Sequence, residues 1–137
     1  MASEMDRIFL RKAYEQAIEG LREGGRPIGS VLVENGEVIA AGRNRSNQTG
    51  DMTAHAEVDC LRDAGPLVSR PGLTLYTTMA PCPMCAGAVV FLGIHRVVVG
   101  DTKIYPGYLD LMREHDVEVI VVDDPDCLAL AEHFRDG

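Results

Sequence analysis

The chain has 137 residues, of which 46% are hydrophobic and 25% charged, the size and composition of a single soluble globular domain. Its formal net charge of −8 argues against a polyanionic partner such as nucleic acid, because affinity for nucleic acid comes largely from Lys and Arg. No apolar run approaches the roughly 20 residues that span a bilayer, and acidic residues stand where a signal peptide would be basic. We therefore expect one cytoplasmic domain over residues 1–137, acting on a small neutral or cationic substrate.

The first half of the chain predicts a helix, a β-hairpin and a second helix. Apolar residues recur at helical spacing over about residues 4–23, after which EGGRP ends the helix and shows no phosphate-loop pattern. Two predicted strands, IGSVLV and VIAAG, flank ENGE, where Asn35-Gly36 accepts the positive φ angles of a type I′ turn. Thr53 is expected to cap a helix over about residues 54–64.

The second half of the chain alternates strands and helices. The segments LTLYTT, RVVVGD and VEVIVV have the β-branched and apolar content of buried strands. APCPMCAGAVVFLG predicts a short apolar helix, residues 107–115 a small helix, and Asp124-Pro125 the start of a last helix that ends near Arg135. The order α-β-β-α-β-α-β-α-β-α predicts an α/β fold, a three-layer α/β/α sandwich around a five-stranded mixed sheet.

Three side chains of the types that bind zinc stand at predicted helix starts: His55, Cys82 and Cys85. Cysteines of a cytosolic chain are expected to be reduced, so the C-x-x-C pair indicates metal or redox chemistry before a disulfide. The two thiols lie three residues apart on one helix face, and a helix N-terminus favours the thiolate form. Three protein ligands leave a fourth tetrahedral position for water, as in catalytic zinc sites. We expect one Zn²⁺ per chain.

Glu57 follows His55 by two residues, so on an ideal helix the two side chains would point roughly 200° apart. Where a helix tip meets a cavity end-on, both can still converge on that cavity. Zinc lowers the pKa of a water that it binds to about 7, and Glu57 is expected to move that proton to the substrate's ring nitrogen or departing amine. The joint pattern H-x-E…P-C-x-x-C, present here as HAE and PCPMC, is the signature of zinc-dependent nucleobase deaminases.

The stretches EGGRPIG, HAEVDCL, LTLYTTMAPCPMCAGAV, RVVVGD and VEVIVVDD resemble the cytidine deaminase superfamily, and within it the fungal-type cytosine deaminases that act on the free base. The resemblance implies hydrolysis of cytosine to uracil and ammonia, and a homodimer whose active sites lie close to the subunit interface. It also implies that the Asn44 side chain, the N–H of Ala56 and the carbonyl of Ala80 bind the substrate. The resemblance further implies that the apolar or aromatic side chains of Ile28, Met79 and Tyr105 line the substrate pocket.

Recognition of the amino group is where the sequence departs from the fungal pattern. Those enzymes continue past the last helix with an aromatic and acidic tail that covers the base, whereas this sequence ends at FRDG and has no tryptophan. We expect Asp101 or Asp136 to replace that contact, or the substrate to be isocytosine, a guanine-like or pterin-like compound, or creatinine. Asp59 is expected to face the substrate, a dimer partner or solvent.

Two further functions stay open at this point. TAHAE and PCPMCAGAV also resemble bacterial tRNA adenosine deaminases, but DDPDCLALAEHFRDG carries five acids and one arginine, which disfavours RNA. A zinc-fold binding module without turnover is the alternative outside enzymes, and the intact Glu57 argues against it. The other cysteines, Cys60 and Cys127, are expected in the core, and the other histidines, His95, His115 and His133, on the surface.

Overall fold

The computed structural model describes the backbone of residues 1–67 and 71–136, with side chains to residue 133. Its strands are β1 (Gly29–Glu34), β2 (Glu37–Arg43), β3 (Leu73–Met79), β4 (Arg96–Asp101) and β5 (Glu118–Val121). Its helices are α1 (Glu4–Arg22), α2 (Ser46–Thr49), α3 (Ala56–Ala64), α4 (Pro83–Leu92), α5 (Leu109–Glu114) and α6 (Pro125–Asp136). Across these described residues, every helix is too short or too polar to span a bilayer.

The five strands form one mixed sheet in the order β2-β1-β3-β4-β5, which confirms the predicted sheet. β1 is antiparallel to both of its neighbours, whereas β3, β4 and β5 are parallel to one another. Since parallel strands end at the same edge of a sheet, β3 and β4 finish side by side, with Met79 paired to Asp101. Polar and apolar side chains that follow these two strands are therefore brought together.

The opening hairpin has the predicted turn. Asn35 and Gly36 both have positive φ, at 49° and 85°, as a type I′ turn requires. A register shift between Leu32 and Val33 leaves one extra residue on β2, a bulge that the alternating apolar pattern of the two strands did not indicate.

Alternate residues of the sheet feed two apolar cores, one on each face. Val97 and Val99 of β4 pack in the cluster that contains Met112 and Cys60, on the face of α3, α4 and α5. Val98, between them, packs on the other face with α1 and α6. Helices thus cover both faces of the sheet, which confirms the three-layer arrangement. Cys60 and Cys127 are buried, one in each cluster, as predicted.

The start of α3 differs from the prediction. The helix begins at Ala56, and its N-cap is His55, in an extended conformation with φ −71° and ψ 158°. Thr53 is not the cap, because its hydroxyl donates to the Asp51 carboxylate at 2.7 Å in a local turn that competes with helix formation. The single-turn α2, in the segment expected to be irregular, was also not predicted. Because of these two local turns, α3 begins only after His55, and His55 stands just before the first turn of the helix.

Candidate active site

His55, Cys82 and Cys85 bring their ligand atoms together at the N-terminal ends of α3 and α4. The His55 Nδ1 atom lies 3.5 Å from the Cys82 Sγ and 3.6 Å from the Cys85 Sγ. All three ligand atoms lie within 4.8 Å of one another, and they form a group that can hold a metal ion.

The spacing of these atoms fits a tetrahedral zinc ion. With Zn–S bonds of about 2.3 Å and Zn–N bonds of about 2.05 Å, a tetrahedral geometry sets N and S ligand atoms about 3.6 Å apart. The two N···S separations agree with that value. One imidazole and two thiols also form a donor set that zinc prefers, and they leave one coordination position open.

The two helices present their functional residues in the same way. His55 and Cys82 are N-cap residues with extended backbone, while Glu57 and Cys85 stand inside the first turn of the helices that follow. An N-cap residue lacks helical backbone angles, so the direction of its side chain does not follow the 100° per residue that separates side chains around a helix axis. His55 and Glu57 therefore share one cavity although they are two residues apart.

The acid–base state of Cys85 depends on its burial as well as on the helix N-terminus. Its side chain is fully buried, and this burial, followed by the nearby Glu57 carboxylate, raises the pKa of the Cys85 thiol. In the metal-free site these effects oppose the helix N-terminus, which favours the thiolate. Since metal binding requires the thiolate, loading of the site must release a proton.

His55 is set up as a neutral ligand. Burial lowers the pKa of the imidazole, and the guanidinium of Arg26 lowers it further, while the backbone of Met52 acts in the opposite direction. A neutral imidazole presents the lone pair that a metal needs.

Glu57 is a buried carboxyl group with only 4% of its surface exposed. Burial raises its pKa from 4.5 to about 7, and hydrogen bonds from its own backbone and from Cys85 only partly oppose this. Such a group exchanges a proton readily near neutral pH, which is the requirement for a general acid–base residue.

A cavity of about 210 Å³ opens above these groups. It is smaller than the roughly 300–1,000 Å³ of pockets for drug-sized ligands, and it suits a single heterocycle. Most of the residues singled out from the sequence line it: Ile28, Asn44, His55, Glu57, Met79, Ala80, Cys82 and Tyr105. Ala56 is not among the lining residues; it is the first residue of α3, whose N–H has no acceptor within the helix.

Asn44 has both a local and a cavity role. It is 2% exposed, and its Oδ1 accepts hydrogen bonds from the Ser46 backbone N–H at 3.0 Å and the Ser46 hydroxyl at 2.6 Å. Because the Oδ1 atom is used by Ser46, the NH₂ group is the part of the amide that remains to donate hydrogen bonds in the cavity. Ser46 thus holds the Asn44 side chain in place at the cavity wall, and substrate binding by Asn44 stays a prediction.

Arg26 also lines the cavity, and sequence reasoning missed it. It follows the two glycines that end α1, a segment interpreted only as a helix stop. The signal in the sequence was a charged residue between the glycines that end α1 and Ile28, which directly precedes β1.

Two of the three candidate acids, Asp59 and Asp101, are not among the residues that line the cavity. Asp59 accepts hydrogen bonds from the Arg45 side chain at 2.9 Å and the Arg43 backbone at 3.0 Å, so its carboxylate faces arginine instead of substrate. Asp101 is fully buried; its Oδ2 accepts from the Ile104 N–H at 3.2 Å, while its Oδ1 has no hydrogen-bond partner among the described residues. The Asp136 side chain lies outside the described residues.

Comparison with known proteins adds relatives with deaminase activity. The chain is 36% identical to cytosine deaminase of Candida albicans over 132 residues, which covers 94% of the chain and 88% of that protein. It is 44% identical to guanine deaminase of Bacillus subtilis over 85 residues, which covers 59% of the chain and 54% of that protein. A solved structure from work on A-to-I editing by tRNA:A34 deaminases superposes with a TM-score of 0.78 and 31% identity, covering 90% of the chain and 99% of that structure.

The family model agrees with the geometry of the site. Residues 3–101 match the model described as the cytidine and deoxycytidylate deaminase zinc-binding region, and this range contains the three metal ligands, Glu57 and Asn44. The match covers well over half of the chain. The chain belongs to the cytidine and deoxycytidylate deaminase family, whose zinc-binding region it carries.

Proposed function

We propose that this protein hydrolytically deaminates a small free amino-heterocycle, with cytosine, converted to uracil and ammonia, as the leading substrate. The observation that carries this proposal is that the buried Glu57 lines one cavity of about 210 Å³ together with His55 and Cys82, which form a metal-binding group with Cys85. Hydrolysis of an exocyclic C–N bond needs an acid–base group beside a metal site that has an open coordination position. The cavity provides both and has room for one heterocyclic ring.

Glu57 carries the proton transfers. Zinc, when bound by His55, Cys82 and Cys85, supplies the Lewis acidity that activates a water molecule. The ionised Glu57 carboxylate accepts the proton of the attacking water, and the resulting carboxylic acid donates it to the ring nitrogen or to the departing amine. Its pKa of about 7 makes both directions of transfer accessible near neutral pH.

Substrate contacts come from fixed polar groups and apolar walls. The Asn44 NH₂ donates to an acceptor on the ring, the N–H of Ala56 donates to the ring carbonyl oxygen, and the carbonyl of Ala80 accepts from the amino group. The aromatic ring of Tyr105 stacks on the heterocycle. The apolar side chains of Ile28 and Met79 exclude water from the two edges that are not hydrogen-bonded.

Cytosine is favoured by the similarity to a cytosine deaminase along 94% of the chain. A second candidate, guanine, is favoured by the 44% identity to a guanine deaminase, which covers 59% of the chain. The net charge of −8 argues against an RNA substrate. Steady-state ammonia release from cytosine, isocytosine, guanine and creatinine ranks these compounds by kcat/KM, and we expect cytosine to rank first. A higher value for guanine would replace cytosine as the substrate and leave the chemistry unchanged.

The metal is expected at one zinc per chain. We expect Cys82→Ala to lose both the zinc and the activity, because two protein ligands hold zinc far more weakly than three. Cys127→Ala, which alters a buried cysteine on the other side of the sheet, is the matched control and keeps one zinc per chain. Elemental analysis of freshly purified protein checks this, and wild type without zinc would contradict it.

A homodimer is proposed on an exposed apolar face of α4. Phe91 is 78% exposed and Met84 38%, and their separation of seven positions places both on one side of the helix. A Cβ added at Gly87, between them, would meet nothing within 4 Å, so this side of the helix is open. Because Cys82 is the N-cap of α4, a subunit packed on this face would lie close to the active site.

Sedimentation of Phe91→Asp tests this interface, with monomers expected. Ile8→Asp, which places a charge on an exposed apolar residue of α1, is the control and leaves the dimer intact. A wild-type protein that sediments as a monomer at micromolar concentration would contradict the dimer.

A further inference from the structure

The cavity contains a cation that deamination of cytosine does not require. Arg26 is half-buried, and it is the cation among the described residues that line the cavity. The other lining residues include four apolar or aromatic side chains. In such surroundings the field of a guanidinium is screened less than in bulk water, so its charge bears directly on what the cavity binds.

The segment that carries Arg26 is held in a fixed conformation. Gly24 adopts a φ of +83°, and the Gly25 N–H donates to the Gly20 carbonyl at 2.8 Å, which closes the end of α1. A Cβ at Gly25 would approach the Gln48 amide to within 2.7 Å or less, so this loop packs closely on the Gln48 side chain of α2. The guanidinium therefore starts from an anchored backbone, and little ordering of the loop opposes binding.

Arg26 also stands between two cavities. Besides the active-site cavity, it lines a neighbouring one of about 390 Å³, together with Pro27, Asn47 and His133. A ring substituent directed toward the side of the active-site cavity that Arg26 lines would contact the guanidinium.

Resting on the proposed deaminase activity, we infer that the preferred substrate is a substituted form of the proposed heterocycle, with cytosine as its parent ring, and that it carries a compact anionic oxygen group, which Arg26 binds. A guanidinium has five N–H donors in a planar fork and binds a carboxylate or phosphate through two of them. The chain is strongly acidic as a whole, and a local cation favours entry of an anionic substrate into this cavity. The substituent expected is a carboxylate, because the cavity is small and the two oxygens of a carboxylate match two parallel N–H donors of a guanidinium.

Pairs of substrates of nearly equal size test this inference. Cytosine bearing a carboxylate at C5 or C6 is compared with cytosine bearing a carboxamide at the same position, and deoxycytidine 5′-monophosphate is compared with deoxycytidine. Ammonia release and calorimetric binding are measured with zinc-loaded wild type, R26Q, R26K and R22Q. R22Q is the matched control, since Arg22 is a mostly exposed residue paired with Glu19 and its loss changes the net charge equally.

We expect wild type to prefer a carboxylate over its carboxamide, and R26Q to reduce that preference by about 10- to 100-fold, the range for a charge-assisted hydrogen bond. R26K keeps the charge without the fork and retains part of the preference, and R22Q retains all of it. An Arg26-dependent preference for the nucleotide alone would move the anion from a carboxylate to a phosphate and overturn the expected substituent.

Equal rates and affinities for both members of every pair would overturn the inference and leave the deaminase activity standing. Loss of activity in R26Q by the same factor for both members would also overturn it, because Arg26 would then act on the site itself, for example through His55, and not on the substituent. If no compound releases ammonia but the carboxylates still bind better to wild type than to R26Q, the inference stands and the proposed function fails.

Discussion

Two carboxyl groups of this protein are almost equally buried and have opposite acid–base properties. Asp6, on α1, is 2% exposed, and Glu57, at the cavity, is 4% exposed. Both oxygens of Asp6 accept from the Arg96 guanidinium at 2.7 Å, and one of them also accepts from the Tyr76 hydroxyl at 2.7 Å. These contacts, with the Arg96 hydrogen bond foremost, hold the pKa of Asp6 well below its usual range, whereas burial raises the pKa of Glu57 to about 7.

The difference lies in the partners and not in the burial. A buried carboxylate with a guanidinium and further donors stays ionised and ties α1 to β3 and β4. A buried carboxyl without a cationic partner is left close to protonation and can exchange its proton with a ligand in the cavity. The first arrangement serves the fold, and the second is suited to chemistry.

The largest expected effect is on the chemistry of Glu57. Glu57→Gln removes the proton carrier but keeps the volume, so kcat is expected to fall by about 10²- to 10⁴-fold. Zinc content and thermal stability are expected to stay at or above wild-type values, because a buried carboxyl without a cation contributes nothing to folding that an amide lacks. Ammonia release together with metal analysis checks both parts; unchanged kcat would mean that Glu57 carries no proton.

The reverse is expected for Asp6. Asp6→Asn leaves the Arg96 guanidinium without its carboxylate and lowers the free energy of unfolding by about 3 kcal/mol, as for other broken buried pairs. The matched control is Asp126→Asn, which breaks the exposed pair with Arg11 and costs about 0–1 kcal/mol. Denaturant unfolding measures both variants. The kcat of folded Asp6→Asn protein is expected to stay at the wild-type value, and equal destabilisation by the two variants would contradict the contrast.

A smaller effect is expected on the pH dependence of stability, which differs between Asp6 and Glu57. The lowered pKa of Asp6 means that its contribution to stability is present above the unfolded value near 3.8 and is lost as the pH falls. The raised pKa of Glu57 means that its contribution is fully present below 4.5 and is lost as the pH rises to about 7.

Unfolding of metal-free protein between pH 3 and 9 reports both slopes. Relative to Asp6→Asn, wild type should lose its advantage toward acid. The free energy of unfolding of wild type relative to Glu57→Gln should fall between pH 4.5 and 7, and this difference should stay constant above pH 7. Parallel curves for wild type and Glu57→Gln would show that burial does not perturb Glu57.

Local patterns in the sequence were sufficient for most of the fold. The Asn35-Gly36 turn and the alternation of Val97, Val98 and Val99 between two cores follow from backbone preferences and from the two-residue period of a strand. The bulge near Leu32 and the start of α3 were not predictable in the same way. They depend on which of several local hydrogen bonds is formed, and the Asp51–Thr53 turn displaced the predicted cap.

The candidate site was predictable where chemistry restricts the residue type. His55, Cys82 and Cys85 are recognised because few side chains bind zinc, and their spacing places them at helix starts. Arg26 and Asp59 were not, since the role of a charged side chain depends on where a loop directs it. Arg26 reaches the cavity, and Asp59 turns to Arg45 instead.

Ammonia release from cytosine by zinc-loaded wild type, beside zinc-loaded Glu57→Gln, tests the central claim most directly. Glu57 and the His55, Cys82 and Cys85 group are proposed to act together on a substrate in the shared cavity. We predict steady ammonia release and uracil formation by wild type, and a rate lower by about 10²-fold or more for the variant at equal zinc content. Equal rates for the two proteins, or no ammonia from cytosine or guanine at high concentrations of zinc-loaded wild type, would contradict the account.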